Sequence, residues 1–212
     1  MKQPQKLFLF LIVLSACNFP YKEKSDKSVL KVTKGFATSK STQAQKEIVV
    51  EESNLSCVRG KAEPVIKKER YPNTTFIIQQ DSLTAFEKVT FDNGDELIIH
   101  NWGCEYYVLT FQFLTTKYQK DTAELAYWYQ AANILMTEIL AAINAPIDIK
   151  RGVVFLESYY LKDQKNDYKN LQLGEEIVFD GSEIRSFVTL EKIEQISKKQ
   201  FAVIISFAIG PL

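Results

Sequence analysis

Alternating apolar and polar positions mark two regions of the chain, and a wide stripe of helical period separates them. Thr75–Gln80 (TFIIQQ) and Leu83–Phe91 (LTAFEKVTF) are rich in β-branched and aromatic residues, the composition of strands. Asp92-Asn93-Gly94-Asp95 follows, and Asn-Gly accepts the positive φ angles of a tight reversal, so Glu96–Trp102 is expected to return as a hairpin partner. After Gly103, the run Tyr106–Leu114 alternates with Tyr107, Leu109, Phe111 and Phe113 on one face. These segments predict a meander of about four strands.

The stripe comes next. Asp121 with Glu124 three residues on has capping-box spacing. Leu125, Trp128, Tyr129, Ala132, Leu135, Met136, Ile139, Leu140 and Ile143 then recur at steps of three and four until Asn144-Ala145-Pro146 stops the helix. Ile147–Lys162 fits a second helix through Ile149, Val153, Leu156 and Tyr160, although the run VVFL also suits a strand; helix is the reading adopted, despite Gly152. Segments around Glu175–Phe179, Glu183–Ile196 and Phe201–Ile209 read as strands. The last is free of charge on both faces, which predicts an interior position. The expected class is α+β: an antiparallel sheet, made of the N-terminal meander plus C-terminal strands, with one or two helices on one face.

Composition narrows the chemistry. The 212 residues carry 26 basic and 26 acidic side chains, and this balance argues against an electrostatic nucleic-acid binder. One histidine and three cysteines are too few for a cluster-type zinc or iron–sulfur site. Walker loops, Gly-x-Gly-x-x-Gly turns, Gly-x-Ser-x-Gly elbows and His-Glu-x-x-His helices are all missing from the sequence. No cofactor or metal is called for.

The first residues give an address. Lys2 and Lys6 precede an unbroken apolar run, Leu7–Leu14. Eight residues of helix span only about 12 Å against a bilayer core of roughly 30 Å, so the run suits the h-region of a signal peptide, residues 1–16. Leu14-Ser15-Ala16-Cys17 resembles the lipobox of bacterial lipoproteins. That resemblance implies cleavage before Cys17, lipidation of Cys17 and acylation of the new amino terminus; a plain secretory signal is the alternative. Multiple acyl chains would form a stable membrane anchor. Asn18 stands where some diderm bacteria place an inner-membrane retention Asp, which favours the outer membrane within the cell envelope.

From Asn18 the chain turns rich in Lys, Ser, Thr and Gln, with scattered hydrophobes and no sustained period. Such a stretch buries too little apolar area to offset chain entropy, so 17–52 is expected to be the lipidated Cys and a disordered tether. Seven Lys against five acids make residues 18–52 net +2, while 17 basic and 21 acidic residues make 53–212 net −4. Residues 53–212 fit one domain. With Cys17 spent on lipid, Cys57 and Cys104 form an even pair; in an exported protein that parity argues for a disulfide, two buried thiols being the alternative.

Two side-chain groups are candidates for function. If Asn93-Gly94 is a two-residue loop, Glu87 falls across from His100 on one sheet face, a carboxylate orienting the only imidazole; Glu105 lies just past the same strand end. This is the hydrolase reading. The second group is aromatic: Trp102, Tyr106, Tyr127 and Tyr159 are expected to face outward and suit an interface. The lead expectation is a non-enzymatic envelope lipoprotein that binds a protein partner as an inhibitor, immunity or assembly factor. A small-ligand or glycan-binding lipoprotein is the third class.

Overall fold

The computed structural model describes Cys57, residues 59–181 and residues 184–211. The leader, Cys17 and the 17–52 tether lie outside the described residues. Seven strands form one antiparallel sheet: β1 (Thr75–Ile78), β2 (Ala85–Thr90), β3 (Glu96–Trp102), β4 (Tyr107–Thr115), β5 (Ile177–Gly181), β6 (Ile184–Ser197) and β7 (Gln200–Pro211). Their spatial order is β1-β2-β3-β4-β7-β6-β5. Two meanders therefore meet where β4 pairs with β7, and β7 is interior as its uncharged faces predict. Helices α1 (Leu125–Ile139) and α2 (Ile149–Asp163) occupy the connection from β4 to the far edge strand β5. The class is α+β, with both helices on one face.

That face is the core. Leu97, Ile99, Leu109, Phe111, Phe113, Val203, Ile205 and Phe207 project from the central strands against Trp128, Tyr129, Met136, Ile139 and Leu156 of the helices, all essentially inaccessible to water. Each such side chain contributes about 1.5–3 kcal/mol when fully buried. Asn133 on α1 donates through Nδ2 to the Val153 carbonyl of α2 at 2.9 Å, tying the helices together.

The helix starts differ from each other. Asp148 caps α2, its Oδ1 accepting from Arg151 N at 3.0 Å. The capping box expected at Asp121 and Glu124 does not form: α1 begins at Leu125, and Glu124 makes no side-chain cap. Asp121 instead accepts from Ala123 N through Oδ1, while its carbonyl takes the indole N–H of Trp128 at 2.9 Å. The buried indole needs an acceptor, and satisfying it holds residues 121–124 in a turn.

The β2–β3 hairpin corrects the expected register. Phe91 N donates to Asp95 O, Gly94 N donates to Phe91 O, and Gly94 has φ +82°. The loop is thus three residues, Asp92–Gly94, closed by a left-handed glycine. Glu87 pairs with Ile99, and His100 with Phe86. The cause lies across the sheet. Asp95 is buried, and its carboxylate accepts from Thr115 Oγ1 (2.7 Å), Thr116 N (2.9 Å) and Thr116 Oγ1 (2.8 Å). A residue engaged there belongs to the ladder and not to the turn.

The first segment of the domain is strapped to this frame. A disulfide joins Cys57 to Cys104, just past β3. Further along, Ile66 bridges Ile143, with Lys67 N donating to Ala142 O and Asn144 N to Val65 O, each at 2.8 Å.

Candidate functional site

Alternation along a sheet sends every second side chain to the face away from the helices, and here that face carries large apolar groups. Register places Ile77, Phe86, His100, Thr110, Ser206 and Thr189 in one row across six strands. The adjoining row runs Trp102, Val108, Ala208, Phe187 and Val178. Ile77 is 61% exposed, Phe86 41%, Trp102 42% and Val178 42%, high values for side chains of this size. No described helix packs on this face.

Over β2 and β3 it carries an aromatic stack. The Phe86 and His100 rings lie 4.5 Å apart and nearly parallel, and the Trp102 ring follows at 5.7 Å from His100. Trp102 Nε1 donates to Thr110 Oγ1 at 3.2 Å, and Thr110 shares a 3.0 Å hydrogen bond with Ser206, so the indole is held in place. Burial lowers the His100 pKa below its ordinary value, which keeps the imidazole neutral at pH 7. Tyr106 belongs to this face too: a Cβ built on Gly210 would sit 2.2 Å from its ring, so only glycine admits the tyrosine.

The carboxylate–imidazole pair expected from the two-residue loop does not exist. Glu87 points to the opposite face, 3% exposed, and its oxygens accept from Val65 N at 2.8 Å and Ile66 N at 3.2 Å. It anchors the strap. Burial raises its pKa, and the two amide donors oppose that rise. Glu105 is exposed in the β3–β4 turn. Nor do the four expected aromatics share one surface. Tyr127 is half-buried against Tyr118 and Trp128, its Oη accepting from Gln119 N, and Tyr159 is half-buried against Tyr129. Both are on the helices, remote in facing from Trp102 and Tyr106, because each covers the margin of the core.

Two features had no place in the sequence reading. One is a cleft of about 560 Å³ between the β2–β3 hairpin and α1, with Tyr71, Phe91, Phe113 and Leu135 below and Arg70, Lys117 and Glu138 at its rim. The other is Arg59. Its Nη2 donates to Asn101 Oδ1 at 2.6 Å, its guanidinium lies 4.5 Å from the Tyr107 ring centre, and burial lowers its pKa. Position gives the one signal for it: an arginine two residues from Cys57 is drawn to the end of β3 once Cys57 pairs with Cys104. Among the described residues, no group of three His, Cys, Asp or Glu side chains converges on a metal position, and no helix is long and apolar enough to cross a membrane.

Comparison with protein-family models, with curated proteins and with solved structures found no match to this chain.

Proposed function

We propose that this chain is a lipid-anchored protein of the bacterial cell envelope, attached through Cys17, outer-membrane in residence, whose α+β domain binds a protein partner through the open face of its sheet. The carrying observation is the exposed apolar cluster of Ile77, Phe86 and Trp102 around half-buried His100. An antiparallel sheet with one face solvated ordinarily presents polar side chains there. Contiguous apolar surface on a soluble domain marks a place that something covers, and flat aromatic area is the usual material of protein interfaces. Lipidation and a tether of about 35 residues, with a coil reach of roughly 30–35 Å, would hold such a face near the membrane without laying it on the bilayer. The hydrolase reading loses its pair, since Glu87 and His100 lie on opposite faces.

The test is capture from native envelope extract with the full chain, disulfide intact. One protein retained at one-to-one stoichiometry, lost with Phe86→Ser or Trp102→Ser and kept with Tyr127→Ala, is the expected result. Retention indifferent to Phe86 and Trp102 would remove the open face as the interface.

A further inference from the structure

Among the described residues, Arg59 is a guanidinium fixed in place with no carboxylate as counter-charge. Its Nη2 is held by Asn101 Oδ1, and Asn101, 3% exposed, is itself held by Glu63 O and Tyr107 Oη, each at 3.3 Å. The Tyr107 ring supports the plane from one side. Nη1 reaches only Gly103 O, at 3.5 Å, and the buried Nε makes no hydrogen bond. Among the described residues no carboxylate stands within ion-pair distance. The acid whose field reaches it, Asp81, already spends its oxygens on Leu83 N, Thr84 N and Thr84 Oγ1. Arg59 is half-buried, with its Nε inaccessible to water, and a guanidinium held this way ordinarily finds a carboxylate.

Beside it a cleft of about 590 Å³ opens between the strap, the end of the β4–β7 pair and the α1–α2 connection. Arg59, Lys61 and Glu63 line one side, and Tyr107, Pro146 and Ile209 the other. The volume falls in the range of small-ligand sites. Two cations against one acid, over an apolar wall, select a small anion with an apolar body. Arginine's planar fork matches a carboxylate in particular.

We propose that this cleft binds an organic carboxylate, clamped by Arg59 with Lys61 supplying a second positive charge. The site is independent of the open sheet face, so either can fail without the other. The carboxylate could belong to a free small acid or to the C-terminus of a peptide.

The experiment is an NMR titration of the full chain with acetate, succinate, acetyl-trialanine acid and acetyl-trialanine amide, each matched against sodium chloride. The acids are expected to saturate at one-to-one, moving the Arg59 Nε–H signal and the Asn101 side-chain amide. Arg59→Lys, which keeps the charge and loses the fork, should weaken binding about tenfold, and Glu63→Gln should tighten it about twofold by removing a like charge. Acid peptide bound at least tenfold tighter than acetate, with the amide silent, supports the site and identifies a chain terminus; equal affinity for acetate or succinate supports it and identifies a free acid. Shifts that stay linear and match chloride overturn the proposal. So does saturable binding that Arg59→Lys leaves unchanged in a variant with wild-type near-UV dichroism.

Discussion

Two buried carboxylates of this domain do similar structural work and titrate in opposite directions. Burial raises the Glu87 pKa, and hydrogen bonds from two backbone amides do not fully offset it. Asp95 also suffers burial, but donors from Thr115 and Thr116 outweigh it and hold its pKa below the ordinary range. A carboxyl whose folded pKa is raised contributes stability that is present below its unfolded pKa and fades as pH rises through the folded one. A lowered carboxyl does the reverse, losing its contribution as pH falls through its folded pKa. Urea unfolding from pH 8 down to pH 2 should therefore show opposite trends. The loss caused by Glu87→Gln should be greatest near pH 4, about 1–2 kcal/mol, and shrink toward pH 8. For Asp95→Asn it should be about 2 kcal/mol at neutral pH and shrink toward pH 2. Parallel trends would mean that one of the two hydrogen-bond sets is misassigned.

Among the elements, α2 shows how a residue poor for a helix serves its packing. Gly152 is buried, and a Cβ there would lie 2.6 Å from Phe207 Cε1 and 2.9 Å from Phe179 Cε1. Both rings are core residues without room to retreat. Gly152→Ala gains about 1 kcal/mol of helix propensity and incurs an overpacking cost of about 1–3 kcal/mol. The expected result is a net loss of about 1 kcal/mol, a melting temperature lower by about 2–4 °C in calorimetry; an unchanged or higher midpoint would show that α2 shifts freely on the sheet. The helical period of Ile149, Val153, Leu156 and Tyr160 was legible in the sequence, and so were the N-terminal meander, the three C-terminal strands, the interior position of β7 and the Cys57–Cys104 pairing. All of these rest on local alternation or on counting. What was not legible depends on distant partners. The hairpin loop is one residue longer than Asn-Gly suggests because Asp95 is claimed by Thr115 and Thr116, twenty residues on. One residue of register moves a side chain to the other face, and so Glu87 and His100 part company. The capping box failed in the same way, through the indole of Trp128.

At the scale of the whole molecule, the described residues leave the sheet with one face covered by helices and one face open. Its edges are short: β1 has four residues, and β5 has five with a register break between Val178 and Asp180. Short and bulged edges resist strand addition, which leaves the open face as the apolar surface to be covered. On that face, over β3, sits the one histidine of the chain, stacked between Phe86 and Trp102, its pKa lowered by burial. A partner covering this stack would desolvate the imidazole further. Protonation would then place an unpaired charge inside the interface, and an unpaired buried charge is costly. Affinity for the captured partner should fall as the pH is lowered from 7 to 5, because protonation of His100 then opposes binding. His100→Phe should keep the neutral-pH affinity and abolish the dependence, since phenylalanine preserves the stack and cannot titrate. Biolayer interferometry at the two pH values measures both. Affinity that is flat in the wild type would put the interface elsewhere on the domain, and affinity that rises on acidification would mean the partner brings a carboxylate to His100.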